Sequence, residues 1–192
     1  MSALQLIDLS AKAPTQYRIR QRAPDEVRAV VLHQTGFSCW TDDNPMWCRV
    51  RSHYVVRQDG SILKLHDPLV RMRYGSGVCN AQGITIEHEG NLPNAAGAWW
   101  KPERYGRDQL ADHPEQVRAS RELLRMLVAE YPTLQRVIAH RHISKGKANC
   151  PGPDIWREVG EWSIRELGLV EVAPLPTGLA LPDTWRGEPR MR

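Results

Sequence analysis

Two short apolar runs, each closed by a histidine, limit what this 192-residue chain can fold into more than any other feature. Residues 27–33 read VRAVVLH and residues 136–140 read RVIAH. Both are rich in β-branched residues and too short for a buried helix, so each predicts a buried strand. Strands covered on both faces belong to parallel sheets with layers packed on them. In open α/β sheets, sites form at the carboxyl ends of the strands. Two strands that each terminate in histidine therefore have the means to bring His33 and His140 together.

The rest of the chain supplies partners for those strands. HYVV and SILKL flank RQDG, which predicts a β-hairpin turning at Asp59-Gly60. GITIEHE, residues 83–89, alternates: Ile84 and Ile86 on one face, Thr85, Glu87 and Glu89 on the other. Val117, Leu124, Leu127, Val128 and Tyr131 recur at helical spacing. A helix is expected over 113–131, with an Asp112/Glu115 capping box, Pro114 in its first turn and Pro132 as its stop. A last helix is expected from a cap at Asp154 to about Leu167, with Gly168 at its C-cap. A short helix is expected between Pro45 and Val50. Residues 1–24 show no period and read as an opening segment. Residues 36–46 and 90–111 read as loops, the second holding the Trp99-Trp100 pair. Residues 173–192, rich in Pro and Gly, read as a tail or linker remnant. The fold class is α/β, with a mixed central sheet flanked by helices. One domain spans 1–172, and the tail spans 173–192.

Composition narrows the function classes. Hydrophobic residues are 41% and charged residues 25%, which suits a globular domain and argues against wholesale disorder. No apolar run approaches the ~18 residues of a membrane span, so no stable membrane insertion is expected. MSALQLIDLSAKAPTQ has no basic region before an apolar core, so synthesis in the cytoplasm without a Sec signal is expected. The net charge of +4 suits an anionic polymer. Lys and Arg are scattered rather than run together, so nucleic acid is not an expected partner. The four cysteines form no CxxC pair, which excludes a zinc ribbon, and free thiols are the default.

His33, His140 and Cys150 form a donor set suited to Zn²⁺. Three protein ligands leave a fourth position for water, as in a catalytic site, and His142 is the nearby residue that would close it. The competing reading is two strand-end histidines and an inert thiol. Glu87 lies on the polar face of its strand. Either that face meets solvent, or it floors a cleft in which the carboxylate moves protons beside the metal.

The motifs VVLHQT, SHYVVRQDGSI, GITIEHEGN and AHRHISKGKANCPGPDIW, in that order, resemble the zinc-dependent N-acetylmuramoyl-L-alanine amidases of the type-2 family. That family includes phage lysozyme-type endolysins, anhydro-muropeptide amidases and animal peptidoglycan-recognition proteins. The resemblance spans residues 27–167. It implies a mixed sheet flanked by helices, and cleavage of the amide between the lactyl group of muramic acid and L-alanine. It also implies that His33, His140 and Cys150 hold zinc and that Glu87 is the catalytic carboxylate. The resemblance places the second ligand at His140 rather than His142.

Several positions depart from the family pattern. Ser52 stands where lysozyme-type members carry Tyr. Ala148 stands where they carry Lys, with Lys147 one residue further back as the candidate replacement. Tyr74 stands where a His is common, and it is a candidate for substrate contact. Trp99 and Trp100 could stack on glycan rings or simply anchor their own loop. The expected activity is that of a monomeric phage or prophage endolysin acting on the cell wall after release. A cytoplasmic recycling amidase and a non-catalytic muropeptide-binding module are the alternatives.

Overall fold

The computed structural model describes residues 4–38, 46–73 and 75–191. Nine strands are found there: β1 (Leu6–Asp8), β2 (Arg18–Gln21), β3 (Ala29–Gln34), β4 (Tyr54–Val56), β5 (Ile62–Lys64), β6 (Val70–Met72), β7 (Gly83–His88), β8 (Arg136–Ala139) and β9 (Val170–Glu171). Seven of them form one sheet in the order β1-β5-β4-β7-β3-β8-β9, while β2 and β6 pair separately. Only β4 and β5 are antiparallel in the large sheet, which makes it mixed as expected.

The two histidine-ended runs are β3 and β8, and they are immediate parallel neighbours. Val30, Val31 and Leu32 are completely buried, as the unbroken apolar run requires. The β4–β5 hairpin turns at Asp59-Gly60, where Gly60 takes φ +84° and its amide donates to the Arg57 carbonyl. The opening segment holds more structure than its sequence signals: β1 adds to β5 at the sheet edge and β2 pairs with β6. These strands are short and largely exposed, so they leave no readable period.

One face of the sheet carries the helices. Short α1 (Pro102–Tyr105) lies in the 90–111 loop, and α2 (Pro114–Glu130) is the long amphipathic helix. The expected Asp112/Glu115 capping box does not form. Asp112 closes a preceding 3-10 turn, which moves the N-cap to His113 with Pro114 next. The last helix starts as α3 (Pro153–Ile155), widens to a π-helical stretch (Trp156–Glu161) and ends as α4 (Trp162–Leu167). Its N-cap is Gly152 rather than Asp154, and Gly168 closes it at φ +69°. Val117, Leu124 and Leu127 of α2, with Trp156 and Val159, pack on Val30, Leu32, Ile84, Ile86 and Val137. The short helix expected between Pro45 and Val50 is a 3-10 turn at Trp47–Arg49; residues 39–45 lie outside the described residues.

The opposite face bears Val31, Thr85, Glu87 and Ile138, and no long helix among the described residues covers it. Trp47 packs there over Val55, Leu63 and Leu65, and Leu175 and Val172 pack beside Val31 and Ile138. The segment expected to be a loose tail is therefore laid against the domain: Leu181 and Trp185 are buried members of the main core. No helix among the described residues is long and apolar enough to cross a membrane.

Candidate active site

Strand register brings the first groups together. In the parallel β3–β7 ladder His33 stands opposite Glu87, and in the β3–β8 ladder Leu32 stands opposite Ala139. The residue after each of those last two is a histidine. The rings of His33 and His140 accordingly lie 4.0 Å apart between centroids, tilted by 47°. Side chains two apart share a face, so His33 and Glu87 join Val31 and Thr85 on the face opposite α2.

Cys150 reaches the pair from the loop after β8. A 3-10 turn at Lys145–Lys147 reverses the chain, and the Cys150 amide donates to the Lys147 carbonyl at 3.0 Å. The Arg141 amide donates to the Cys150 carbonyl at 2.9 Å. Gln34 ties the loop to β3: its amide points at Cys150 Sγ at 3.4 Å, and its side-chain Nε2 donates to the Asn149 carbonyl at 3.0 Å. One ligand atom each from His33, His140 and Cys150 lies within 4.8 Å of the others. One divalent ion bound by such a donor set has bond lengths of ~2.0–2.3 Å, so the three groups are near enough to be candidates for a shared ion.

His142 does not join them. The His140–His142 turn swings it to the helix face, where Ala139 N–H donates to its Nδ1 at 3.3 Å and its ring meets Trp156 edge-on. The expected competition between the two histidines is resolved by that turn, since an extended chain would have pointed both rings the same way.

The charge states suit a cation. Burial holds His33 and His140 well below the ordinary histidine range, His140 at about 4; Lys147 pushes both in the same direction, and the nearby His140 adds to the shift of His33. Both imidazoles are therefore neutral and offer lone pairs at pH 7. Burial, with the Glu87 carboxylate nearby, pushes the Cys150 thiol up. A thiol so placed releases its proton only when a strong positive charge arrives, which a divalent metal supplies. Glu87 is pushed up to about 7 by burial, with Lys147 acting against the shift. Its Oε1 lies 3.6 Å from His33 Nδ1, and its buried Oε2 has no hydrogen-bond partner within the chain.

Two features escaped the sequence reading. Ser76 Oγ sits 3.4 Å from His33 Nε2 and 2.8 Å from Thr85 Oγ1, so a hydroxyl pair backs the first histidine. His88, on the far face of β7, donates from Nδ1 to the His33 carbonyl at 2.8 Å. The polar residues flanking the motifs were visible in the sequence, but only register shows which atoms they meet.

A cleft of about 670 Å³ opens over these groups. His33, Glu87 and His140 form part of its wall, with Thr35, Phe37 and Val50, and with the cations Arg49, Arg51 and Lys147. Such a volume accommodates a small to mid-sized ligand. Lys147 thus lies on the same cleft as Glu87, although it is exposed. Ser52 and Ala148 do not replace the groups absent at those positions: Ser52 is buried and donates to the Tyr54 carbonyl at 2.8 Å. Trp99 is not among the cleft-lining residues; its indole N–H donates to the Asp108 carbonyl at 2.9 Å and fixes its own loop. Tyr74 lies outside the described residues.

The family model for N-acetylmuramoyl-L-alanine amidase (Amidase_2) matches residues 23–153, which include all four groups of the site. The chain belongs to that family. Solved structures share the fold at low identity. The Ph2119 endolysin from the Thermus scotoductus MAT2119 bacteriophage is 21% identical over 77% of this chain and 92% of its own, with a TM-score of 0.54. The N-acetylmuramoyl-L-alanine amidase LysC from Clostridium intestinale URNW is 19% identical over 77% and 89%, with a TM-score of 0.51. Human PGRP-IβC, solved in complex with glycosamyl muramyl pentapeptide, is 14% identical over 85% and 98%, with a TM-score of 0.57. A search of curated proteins by sequence gave no match.

Proposed function

We propose that this amidase-family chain is an active zinc-dependent hydrolase. Its target would be the amide between the lactyl group of N-acetylmuramic acid and L-alanine of peptidoglycan, and its role that of a monomeric phage or prophage endolysin. The observation that carries the reading is the meeting of His33, His140 and Cys150 beside a half-buried carboxylate whose Oε2 is enclosed and unpartnered. A recognition module needs to hold its ligand but has no use for a proton acceptor at the metal.

His33, His140 and Cys150 would hold the ion. Bound Zn²⁺ supplies Lewis acidity, which polarises a carbonyl and makes water a nucleophile at neutral pH. Glu87 takes a proton from the attacking water on its free Oε2 and returns it to the departing L-alanine nitrogen. Ser76 and Thr85 hold the His33 ring from behind. Lys147, on the rim, contributes positive charge to the carbonyl oxygen as the tetrahedral adduct forms. Tyr74 is kept as a proposed substrate contact.

The test digests intact sacculi and soluble anhydro-muropeptide side by side. An endolysin releases new L-alanine amino termini from sacculi. Activity confined to the soluble fragment would instead assign a recycling amidase, and zinc-loaded protein that binds both and cuts neither would assign the non-catalytic module.

A further inference from the structure

Residues 172–191 lie beyond the segment that matches the family model, yet they contact the ligand loop. After β9 pairs with β8, the chain continues alongside the residues that follow His140. Leu175 N–H donates to the His142 carbonyl at 2.8 Å, and Leu179 N–H to the Arg141 carbonyl at 2.8 Å. Lys145 N–H donates to the Thr177 carbonyl at 2.7 Å, and the Thr177 hydroxyl to the Ile143 carbonyl at 2.8 Å. Between them Gly178 passes so close that a Cβ there would collide with the His142 carbonyl.

Further along, fully buried Trp185 places its ring 4.7 Å beneath the Arg141 guanidinium. The same guanidinium donates through Nη1 to the carbonyl of Ala148, two residues before Cys150. The far end is fastened too. Arg190 and Met191 amides donate to Glu158 at 2.8 and 2.9 Å, and Arg121, paired with Glu158 at 3.1 Å, donates to the Met191 carbonyl.

We propose that residues 172–191 are a strap that positions Cys150 through the relay Trp185–Arg141–Ala148, and so sets how tightly this chain holds its metal. The relay ends on the backbone of the ligand loop, and Arg141 also immediately follows His140, so one residue is joined to both sides of the ligand set. Groups that orient ligands from behind typically account for ~10–100-fold in metal affinity. Trp185, Arg141 and Gly178 are positioning residues here, and the inference rests on the reading of His33, His140 and Cys150 as metal ligands.

The experiment measures Zn²⁺ affinity of the full chain by competition with a chromophoric chelator. Trp185→Ala and Gly178→Ala, which strike the strap at different points, should each weaken binding ~10–100-fold. Trp185→Phe keeps a ring face for the guanidinium and should recover most of that loss. Arg141→Met retains the stem over the ring but removes the donor to Ala148, and should match Trp185→Ala; it also serves if Trp185→Ala fails to fold. Leu127→Ala, a core truncation in α2 away from the loop, controls for general destabilisation and should leave affinity unchanged. Equal affinities in the strap variants and Leu127→Ala would overturn the proposal. Amide exchange in metal-free protein separates the two readings. Gly178→Ala should speed exchange at Lys145 and Arg141, and unchanged exchange there removes the strap even if zinc binds. Wild-type protein that takes up no zinc removes the metal reading instead.

Discussion

Glu87 carries a specific burden as a single residue. Among the described residues that line the cleft it is the one carboxylate, beside the cations Arg49, Arg51 and Lys147, and its free oxygen suits the proton transfer proposed for it. Glu87→Gln preserves volume and the ligands, so zinc content is expected to stay stoichiometric while hydrolysis falls ~10²–10⁴-fold. Atomic absorption paired with an amino-terminus assay reads both, and a fully active variant would remove Glu87 from the chemistry. Cys150 makes the complementary case. Cys150→Ala leaves two imidazoles and is expected to lose zinc during dialysis against a weak chelator, whereas Cys150→Asp restores an anionic donor and retains part of it. Retention by Cys150→Ala equal to wild type would place the metal elsewhere. That these four groups belong to one site was legible in the sequence, because His33, Glu87, His140 and Cys150 each sit in a motif whose order is itself informative; the roles given to them are those proposed above. The backing pair Ser76 and Thr85 was not, because a serine between two glycines reads as a turn until register shows which atom it faces.

Among the elements, β3, β7, β8 and α2 followed from patterns long enough to be unambiguous. The edge strands β1, β2 and β9 did not, because two to four residues with exposed side chains carry no periodicity. The capping residues failed for a related reason: a 3-10 turn can consume the residue that a linear pattern assigns to the cap. The π-helical stretch offers a sharp test of packing against propensity. Replacing a helical glycine by alanine ordinarily gains ~1 kcal/mol. At Gly160, however, a Cβ would stand 2.8 Å from the Trp156 ring, whose side chain is completely buried. Overpacking costs about 1–3 kcal/mol, so the balance is adverse. Gly160→Ala is expected to lower the urea midpoint at unchanged slope, and a raised midpoint would show that the ring relaxes freely.

For the whole molecule, acid stability follows from buried neutral histidines on the sheet. His53 is completely buried, accepts the Thr85 amide on Nδ1 at 3.0 Å and donates from Nε2 to the Val70 carbonyl at 2.9 Å. Both ring nitrogens are used by the neutral form. Burial accordingly holds His53 at about 3, against 6.5 ordinarily. The unfolded chain gains a proton below pH 6.5 that the folded chain refuses until about pH 3, so stability is present above 6.5 and falls as pH drops through that window. His53 alone is expected to cost on the order of 2 kcal/mol between pH 7 and pH 5. Buried His66, held at about 4, acts in the same direction. Urea unfolding at the two pH values checks this, and equal stabilities would contradict the neutral, doubly bonded ring. The domain itself was legible from the order of its strands and helices. The packing of residues 173–191 was not, since Pro/Gly composition describes a loose tail and a tightly laid strap equally well.

Everything functional turns on whether His33, His140 and Cys150 hold one ion beside Glu87. The most direct measurement strips the protein with chelator, restores one equivalent of Zn²⁺, and follows release of L-alanine amino termini from purified peptidoglycan. Cleavage should vanish on stripping, return at one equivalent, and fail to return in His140→Ala. Undiminished cleavage by the stripped protein, or full recovery in His140→Ala, would contradict the metal centre.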